Sequence, residues 1–406
     1  MADHCLIGKR LDYSYSKVVH NKLGYDYDLT EVKEEELGAF LRSHRYKAFN
    51  VTIPYKRAVI PYLDELSEEA ALLGVVNLVR EEGGKLKGYN MDIRGMEYAL
   101  ARTGLSLAGK KVVILGTGNT SDTAEYLAKR AGAASIVKIS RSGEDNYDNL
   151  SRHADAAYLI NTTPVGTYPA NEDVIVDLSV FPALEGVQEV IYNPFKTRLV
   201  LQAEDRGLAV ATGLDMLVGQ AAYSAELFRG SLPPKERVDA IVKEILSEER
   251  NIYLIGMPSC GKSTIGRALA LGLGRPFVDV DEVIVKAHGS IPDIFRKEGE
   301  EAFRAYECEA LAEISKGHGR VVATGGGAVE RERNVLNLRQ NGVIVYLMRD
   351  LSQLSDEGRP LSQGGRIEAL YRRRKSLYEG AADVIVRNDG TPAGAVERIA
   401  NEVKKL

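Results

Sequence analysis

The 406-residue chain has little cysteine: only Cys5, Cys260 and Cys308, scattered and odd in number. That excludes a disulfide framework and a thiolate metal cluster, and it fits a reducing compartment. An excess of charge of one sign is also missing. Lysine and arginine number 53 against 57 aspartates and glutamates, a formal net charge of −4. No global basic field is present to attract nucleic acid or an anionic membrane, so neither is an expected partner. No apolar run approaches the length of a membrane span, and Met1 to Arg10 hold no apolar core of a secretory signal. Internal repeats and low-complexity tracts are absent too. With 44% hydrophobic and 27% charged residues, what remains is ordinary globular material. It is longer than one hydrophobic core usually supports, so two or three domains and a cytoplasmic location are expected.

From Lys111 onward, short β-branched runs alternate with amphipathic helical patterns. Val112–Leu115, Ser135–Ile139, Tyr158–Asn161 and Val190–Tyr192 read as parallel strands of a doubly wound sheet. A mixed α/β segment precedes them. The stretch Arg229-Gly230-Ser231-Leu232-Pro233-Pro234 breaks the pattern, and a charged helix over Lys235–Glu249 leads out of it. Strands are then expected at Ile252–Ile255, Phe277–Asp281, Val321–Thr324, Val343–Leu347 and Val384–Val386. The chain thus reads as α/β throughout. Its expected parts are a substrate domain over 1–101 completed by a helix over 213–230, a nucleotide domain over 102–212, a linker over 231–250, and a second nucleotide domain over 251–406.

Residues 256–264, Gly-Met-Pro-Ser-Cys-Gly-Lys-Ser-Thr, form a complete G-x-x-x-x-G-K-[ST] loop between an apolar strand and a helix. In a chain of this length the pattern arises by chance roughly 0.03 times. Backbone N–H groups along Gly256, Ser259, Cys260, Gly261, Lys262, Ser263 and Thr264 suit a triphosphate, with Lys262 as a mobile cation and Ser263 as an oxygen for Mg²⁺. Asp279 and Asp281 close the next strand, spaced so that they face one side. Arg304 and Glu307 stand one helical turn apart, and Gly325-Gly326-Gly327 follows a strand. Arg359-Pro360-Leu361 and the pair Arg374/Tyr378 come later. Singly these are bland: an Arg–Glu pair is usually a solvated helix pair, and an aspartate after a strand is usually an N-cap.

As a set they resemble shikimate kinase over residues 251–390, a P-loop kinase fold related to the nucleoside monophosphate kinases. The resemblance implies ATP and Mg²⁺ as cofactors. It implies that Arg304, Arg374 and the glycines Gly325, Gly326 and Gly327 hold the substrate, with both arginines on its carboxylate. Asp281 would orient the attacking hydroxyl, Ser263 and Asp279 would serve the metal, and Lys262 with Arg359 would stabilise the transferring phosphoryl group. Guanidinium forks suit a carboxylate better than lysine does. The segment 351–365 departs from the family, being short and reading Arg-Pro-Leu-Ser.

The first half carries Ser14-Tyr15-Ser16, Asn50-Val51-Thr52-Ile53-Pro54-Tyr55-Lys56, Val75-Val76-Asn77, Gly88-Tyr89-Asn90-Met91-Asp92, Asn161-Thr162-Thr163-Pro164-Val165-Gly166 and Gly213-Leu214-Asp215-Met216-Leu217-Val218-Gly219-Gln220-Ala221. In that order they resemble shikimate dehydrogenase over residues 5–230. Hydride addition to a ketone builds an alkoxide that needs a proton donor. The resemblance makes Lys56 that donor and Asp92 its orienting partner. Ser14, Ser16, Thr52, Asn77, Asn90 and Gln220 would hydrogen-bond a polyhydroxy ring, and Tyr192 would lie near the substrate carboxylate.

The cofactor loop Gly116-Thr117-Gly118-Asn119-Thr120-Ser121 is a partial G-x-G-x-x-[GA], with Asn119 where the family usually has glycine. At the next strand end Ser140-Arg141-Ser142 offers an arginine and no carboxylate, which favours a 2′-phosphate and so NADP(H) over NAD, although Glu144 follows. Thr162 and Gly213 complete the expected cofactor contacts, while Met91 replaces a threonine usual in the family. Read together, the halves imply reduction of 3-dehydroshikimate to shikimate followed by phosphorylation of shikimate. The other readings are an NAD-preferring quinate or shikimate dehydrogenase, or a non-catalytic dehydrogenase-like module, fused to the kinase.

Overall fold

A computed structural model of the chain describes residues 2–12, 14–354 and 367–406. Two compact units emerge, one formed by residues 1–167 and 173–243, the other by 168–172 and 244–406. Among the described residues no helix is long and apolar enough to cross a membrane.

In the first unit, β1 (His4–Gly8), β2 (Tyr27–Glu31), β3 (Ala48–Val51), β4 (Glu65–Leu66), β5 (Leu78–Glu82) and β6 (Lys85–Tyr89) build a mixed sheet in the order β2-β1-β3-β5-β6-β4. β1 pairs in parallel with both β2 and β3, whereas β5 runs antiparallel to β3 and β6. Cys5, Ile7, Val51 and Tyr55 pack into the core on one face of this sheet.

A second sheet of the same unit, β7 (Lys111–Leu115), β8 (Ser135–Ile139), β9 (Tyr158–Asn161), β10 (Gly186–Glu189) and β11 (Ala209–Ala211), has the order β11-β10-β9-β7-β8 and is parallel throughout. Strand order reverses at β7, where an open α/β sheet leaves a ligand crevice at its carboxyl edge. The strand expected over Val190–Tyr192 falls earlier, at Gly186–Glu189. The Glu189 carboxylate accepts the N–H groups of Val190 (2.8 Å) and Ile191 (3.0 Å), which takes those donors out of the ladder.

The helix Asp92–Thr103 packs along the helix Gly213–Arg229, and each delivers a polar residue to the cleft. Their closest approach is at Gly95, where a Cβ would lie 2.5 Å from the Met216 carbonyl oxygen. Thr212 and Asp215 form a capping box that starts the second helix, and Gly230 ends it at φ +80°. The helix Lys235–Glu249 follows, its start pinned where Asp239 accepts from Arg102 and Tyr98, both at 2.5 Å.

The second unit is organised by β12 (Asn251–Ile255), β13 (Phe277–Asp279), β14 (Val321–Ala323), β15 (Gly342–Met348) and β16 (Val384–Arg387) in the order β13-β14-β12-β15-β16, all parallel. β12 lies centrally and is buried at every residue, as a strand covered by helices on both faces requires. The expected strand over Phe277–Asp281 stops at Asp279, which caps the helix Val280–His288 by accepting the Asp281 N–H at 3.1 Å. Asp281 therefore lies in the first turn of that helix and is not a strand neighbour of Asp279.

Gly95→Ala should force the paired helices apart. The cost of such overpacking is about 1–3 kcal/mol, visible as a lowered midpoint of thermal unfolding.

Candidate functional site

In the first unit, a cavity of about 220 Å³ opens between the mixed sheet and the parallel sheet. Ser14, Ser16, Thr52, Lys56, Asn77, Asp92, Tyr192, Gln220, Thr120 and Gly213 all line it, together with Arg10, Asn50 and Met216. Lys56 lies beyond the end of β3. Its Nζ donates to Asp92 Oδ2 at 2.6 Å, with the two side chains 18% and 8% exposed. Asp92 is the first residue of its helix, where the dipole favours a carboxylate. Its other oxygen accepts from Asn77 Nδ2 at 2.9 Å, and the same amide reaches Gln220 Oε1 at 3.1 Å. Asn77 Oδ1 accepts the Met91 N–H at 2.6 Å. Position 91 therefore serves the network through its backbone, whatever its side chain.

Asn90 does not line the cavity. Its Oδ1 takes the Asp92 N–H at 3.0 Å and its Nδ2 donates to the Val75 carbonyl at 3.3 Å, so it braces Asp92 from behind.

At the end of β7, Gly116 adopts φ +105°, and a Cβ there would be 2.9 Å from Thr162 Oγ1. Thr162 donates to the Leu115 carbonyl at 2.6 Å and so ties the ends of β7 and β9 together. Gly118 starts the helix Asn119–Arg130 with no side-chain cap; the Ser121 N–H turns back to the Gly118 carbonyl at 2.8 Å, and those of Asn119 and Thr120 are left for an anion. Ser121 is fully buried, as close helix–strand packing demands of this position. Ser140, Arg141 and Ser142 follow β8, with Arg141 and Ser142 exposed beside an exposed Glu144. Gly213 must be glycine, since a Cβ would lie 2.2 Å from the Ile191 carbonyl oxygen. The loop, its uncapped helix and the exposed arginine fit a dinucleotide with a 2′-phosphate.

Two residues near this cleft escaped sequence reasoning. Arg57, the neighbour of Lys56, donates through Nε to Asn119 Oδ1 at 2.7 Å. Glu189 is wholly buried and accepts from Asn161 (3.0 Å) and Thr197 (2.8 Å) as well as its own strand-end amides. Burial pushes its carboxyl up to about 7, against the hydrogen bonds that favour the anion. A charge inside the run Val187-Gln188-Glu189-Val190-Ile191 was the available signal.

In the second unit, a cavity of about 260 Å³ is lined by Ser259, Gly261, Lys262, Ser263, Thr264, Asp279, Asp281, Thr324, Gly326 and Arg349. Gly256 and Gly261 take φ +143° and +98°, and the helix Lys262–Leu273 starts without a side-chain cap. Cys260 is buried, its carbonyl accepting from Asn388 at 2.8 Å. Lys262 Nζ rests on the Gly256 and Met257 carbonyls, both at 2.9 Å, so the loop closes around its own cation. Ser263 donates to Asp279 Oδ2 at 2.6 Å. Among the described residues no cluster of three or more His, Cys, Asp or Glu side chains could hold a metal. A hydroxyl and one carboxylate fit Mg²⁺, which is normally completed by phosphates and water.

Beyond the triple glycine, Arg304 and Arg374 are 6% and 1% exposed. Arg304 donates to Glu307 (2.8 Å) and Glu300 (3.2 Å), and Arg374 to Glu330 (2.6 Å). Burial raises the Glu307 carboxyl, outweighing the pull of Arg304. Burial pushes Glu330 the same way, but Arg374 with Arg373 and Arg304 holds it below the usual carboxylate range. The glycines make room for this cluster: a Cβ at Gly325 would lie 2.0 Å from Glu307 Oε1, and one at Gly327 2.3 Å from Arg304. Tyr378 donates to the Gly326 carbonyl from the same helix as Arg374. Glu330 and Arg349 had no sequence signal, and Arg359 lies outside the described residues.

Gly327→Ala should push Arg304 off its position. Because an ångström of misplacement can cost about 100-fold, the activity of the second unit should fall by that order, read as kcat/KM in a coupled ADP-release assay.

Three stretches of the sequence match known families. Residues 6–79 match the shikimate dehydrogenase substrate binding domain, residues 213–243 the shikimate 5'-dehydrogenase C-terminal domain, and residues 258–405 shikimate kinase. A shikimate dehydrogenase (NADP(+)) of Clostridium perfringens is 33% identical over 262 residues, which cover 59% of this chain and 97% of that protein. The crystal structure of a chorismate mutase/shikimate 5-dehydrogenase fusion protein from Clostridium acetobutylicum aligns with TM-score 0.57 at 30% identity, covering 60% of this chain and 96% of that one. Shikimate 5-dehydrogenase from Thermus thermophilus, in complex with NADP(H) and shikimate, aligns with TM-score 0.55 at 27% identity, covering 60% and 99%. The chain belongs to the shikimate dehydrogenase family through its first unit and continues into a shikimate kinase domain.

Proposed function

We propose that the chain is a bifunctional enzyme of the shikimate pathway, which reduces 3-dehydroshikimate to shikimate with NADPH and phosphorylates the shikimate 3-hydroxyl at the expense of MgATP. The observation that carries this reading is the 2.6 Å Lys56–Asp92 pair facing a cavity of neutral hydrogen-bonding side chains. A phosphate loop and two buried arginines in the second unit support the other half. Each site suits the same carboxylated polyol, as product in one and substrate in the other.

The reduced nicotinamide supplies a hydride and MgATP supplies the phosphoryl group. In the first site Lys56 Nζ gives its proton to the ketone oxygen as negative charge develops there. Asp92 fixes the ammonium by one oxygen and is itself fixed by Asn77 and by its place at a helix start. Ser14, Ser16, Thr52, Asn77 and Gln220 orient the ring hydroxyls, and Tyr192 stands at the carboxylate. The start of the helix Asn119–Arg130 would hold the pyrophosphate of the cofactor, and Arg141 with Ser140 and Ser142 would hold its 2′-phosphate.

In the second site Asp281 orients the attacking hydroxyl and accepts its proton. Lys262, which rests on two backbone carbonyls, would turn to the phosphate oxygens of a bound nucleotide, and Ser263 and Asp279 would hold Mg²⁺. Arg304 and Arg374 fix the substrate carboxylate, so that catalysis consists mainly of positioning and charge stabilisation.

Supplying 3-dehydroshikimate, NADPH and MgATP together to the purified chain should yield shikimate 3-phosphate. Product analysis showing only shikimate, or no turnover, would remove one or both assignments. Lys56→Ala should lower reductase kcat/KM by about 10²–10⁴-fold and leave phosphorylation intact. Lys262→Ala should do the reverse. Arg141→Ala should raise the KM for NADPH about tenfold and leave that for NADH unchanged, because one charge-assisted contact to a phosphate is worth about that factor. Equal effects on both cofactors would argue against a 2′-phosphate contact.

A further inference from the structure

The substrate arginines of the kinase site already hold a carboxylate that belongs to the chain. Glu330 ends the short turn Ala328–Glu330 that follows the triple glycine, with its N–H bonded to the Gly327 carbonyl at 2.9 Å. Its Oε2 lies 2.6 Å from Arg374 Nη2 and 3.6 Å from Arg304 Nη2, so one oxygen bridges the two guanidinium groups. Its Oε1 lies 2.6 Å from Arg373, whose side chain is 59% exposed. Arg374 Nε is buried and has no acceptor among the described residues, which leaves a donor for a second anionic oxygen.

We propose that Glu330 is an internal stand-in for the substrate carboxylate, seated on Arg374 and Arg304 in the empty site and left with Arg373 alone, which it already touches, when substrate enters. This rests on the kinase reading given above. Charge balance is the physical reason. Arg304 and Arg374 already face Glu300, Glu307 and Glu330. A substrate carboxylate added to that set would place a fourth negative charge against two buried positive ones. Swinging Glu330 toward the solvent side, still held by Arg373, returns the buried pair to three facing carboxylates, the number it has in the empty site, and keeps every guanidinium paired. Glu307 cannot make the same move, since it is wholly buried on the Arg304 helix.

A stand-in acts as an internal competitor, because the apparent dissociation constant is the intrinsic one divided by the fraction of sites that are open. If Glu330 occupies the arginines in about nine molecules of ten, removing it tightens binding about tenfold.

The test uses the full chain with saturating MgATP and two independent variants. Glu330→Gln should lower the KM for shikimate by about three- to tenfold, with kcat moving less than KM does. Arg373→Ala, which removes the one partner that remains to Glu330 after displacement, should raise that KM by a similar factor, and the double variant should follow Glu330→Gln. A KM that is unchanged or raised in Glu330→Gln would overturn the proposal and make Glu330 a fixed brace for Arg374. Calorimetric binding of cyclohexanecarboxylate, an anion without hydroxyls, should rank the variants in the same order. If the chain does not phosphorylate shikimate at all, the functional reading fails, while that anion ranking still decides the role of Glu330.

Discussion

A helix that starts directly from a buried parallel strand has N–H groups with no acceptors in its first turn, and both nucleotide loops of this chain are built on that deficit. At several other helices a side chain meets it: Thr197, Thr212, Ser290 and Thr391 each cap a helix start. After β7 and after β12 the cap residue is Gly118 or Gly261 and no side chain closes the turn. The donors are left to an anion, and the strand orders place both helix starts where an open α/β sheet reverses direction. The remaining site residues come from neighbouring strand ends because that edge is where they can meet. Lys56 comes from beyond β3, Tyr192 from beyond β10, and Asp279 from the end of β13.

Much of this was legible in the sequence because it depends on local pattern. The short β-branched runs from Lys111 onward fell on strands, since a parallel strand covered on both faces needs a continuous apolar segment. Glycine-rich loops between such runs and helices could be placed without knowing any tertiary contact. Misreadings occurred where one side chain decides the local outcome. Glu189 ends its strand by capturing the next two amides, so the apolar residues Val190 and Ile191 do not extend the ladder. Asp279 starts a helix instead of continuing a strand, which moves Asp281 around by part of a helical turn.

Carboxylates drawn wholly or partly into the interior were the least legible part of both sites. Glu189, Glu307 and Glu330 look in sequence like the solvated charges of any amphipathic segment, and only the folded chain shows what they neutralise or hold. An arginine taken out of water must be paired, and Arg304 and Arg374 are nearly inaccessible. The family motif names the arginines, Glu307 and the glycines but not this requirement. Once the arginines are buried, the partners follow: Glu307 one turn along the same helix, and Glu330 from the turn after β14. This cluster needs volume beside the strand end, which Gly325 leaves for Glu307 and Gly327 for Arg304. The glycines, arginines and glutamates of the kinase floor therefore answer a single demand, which is to keep two cations dry, paired and ready for an anion.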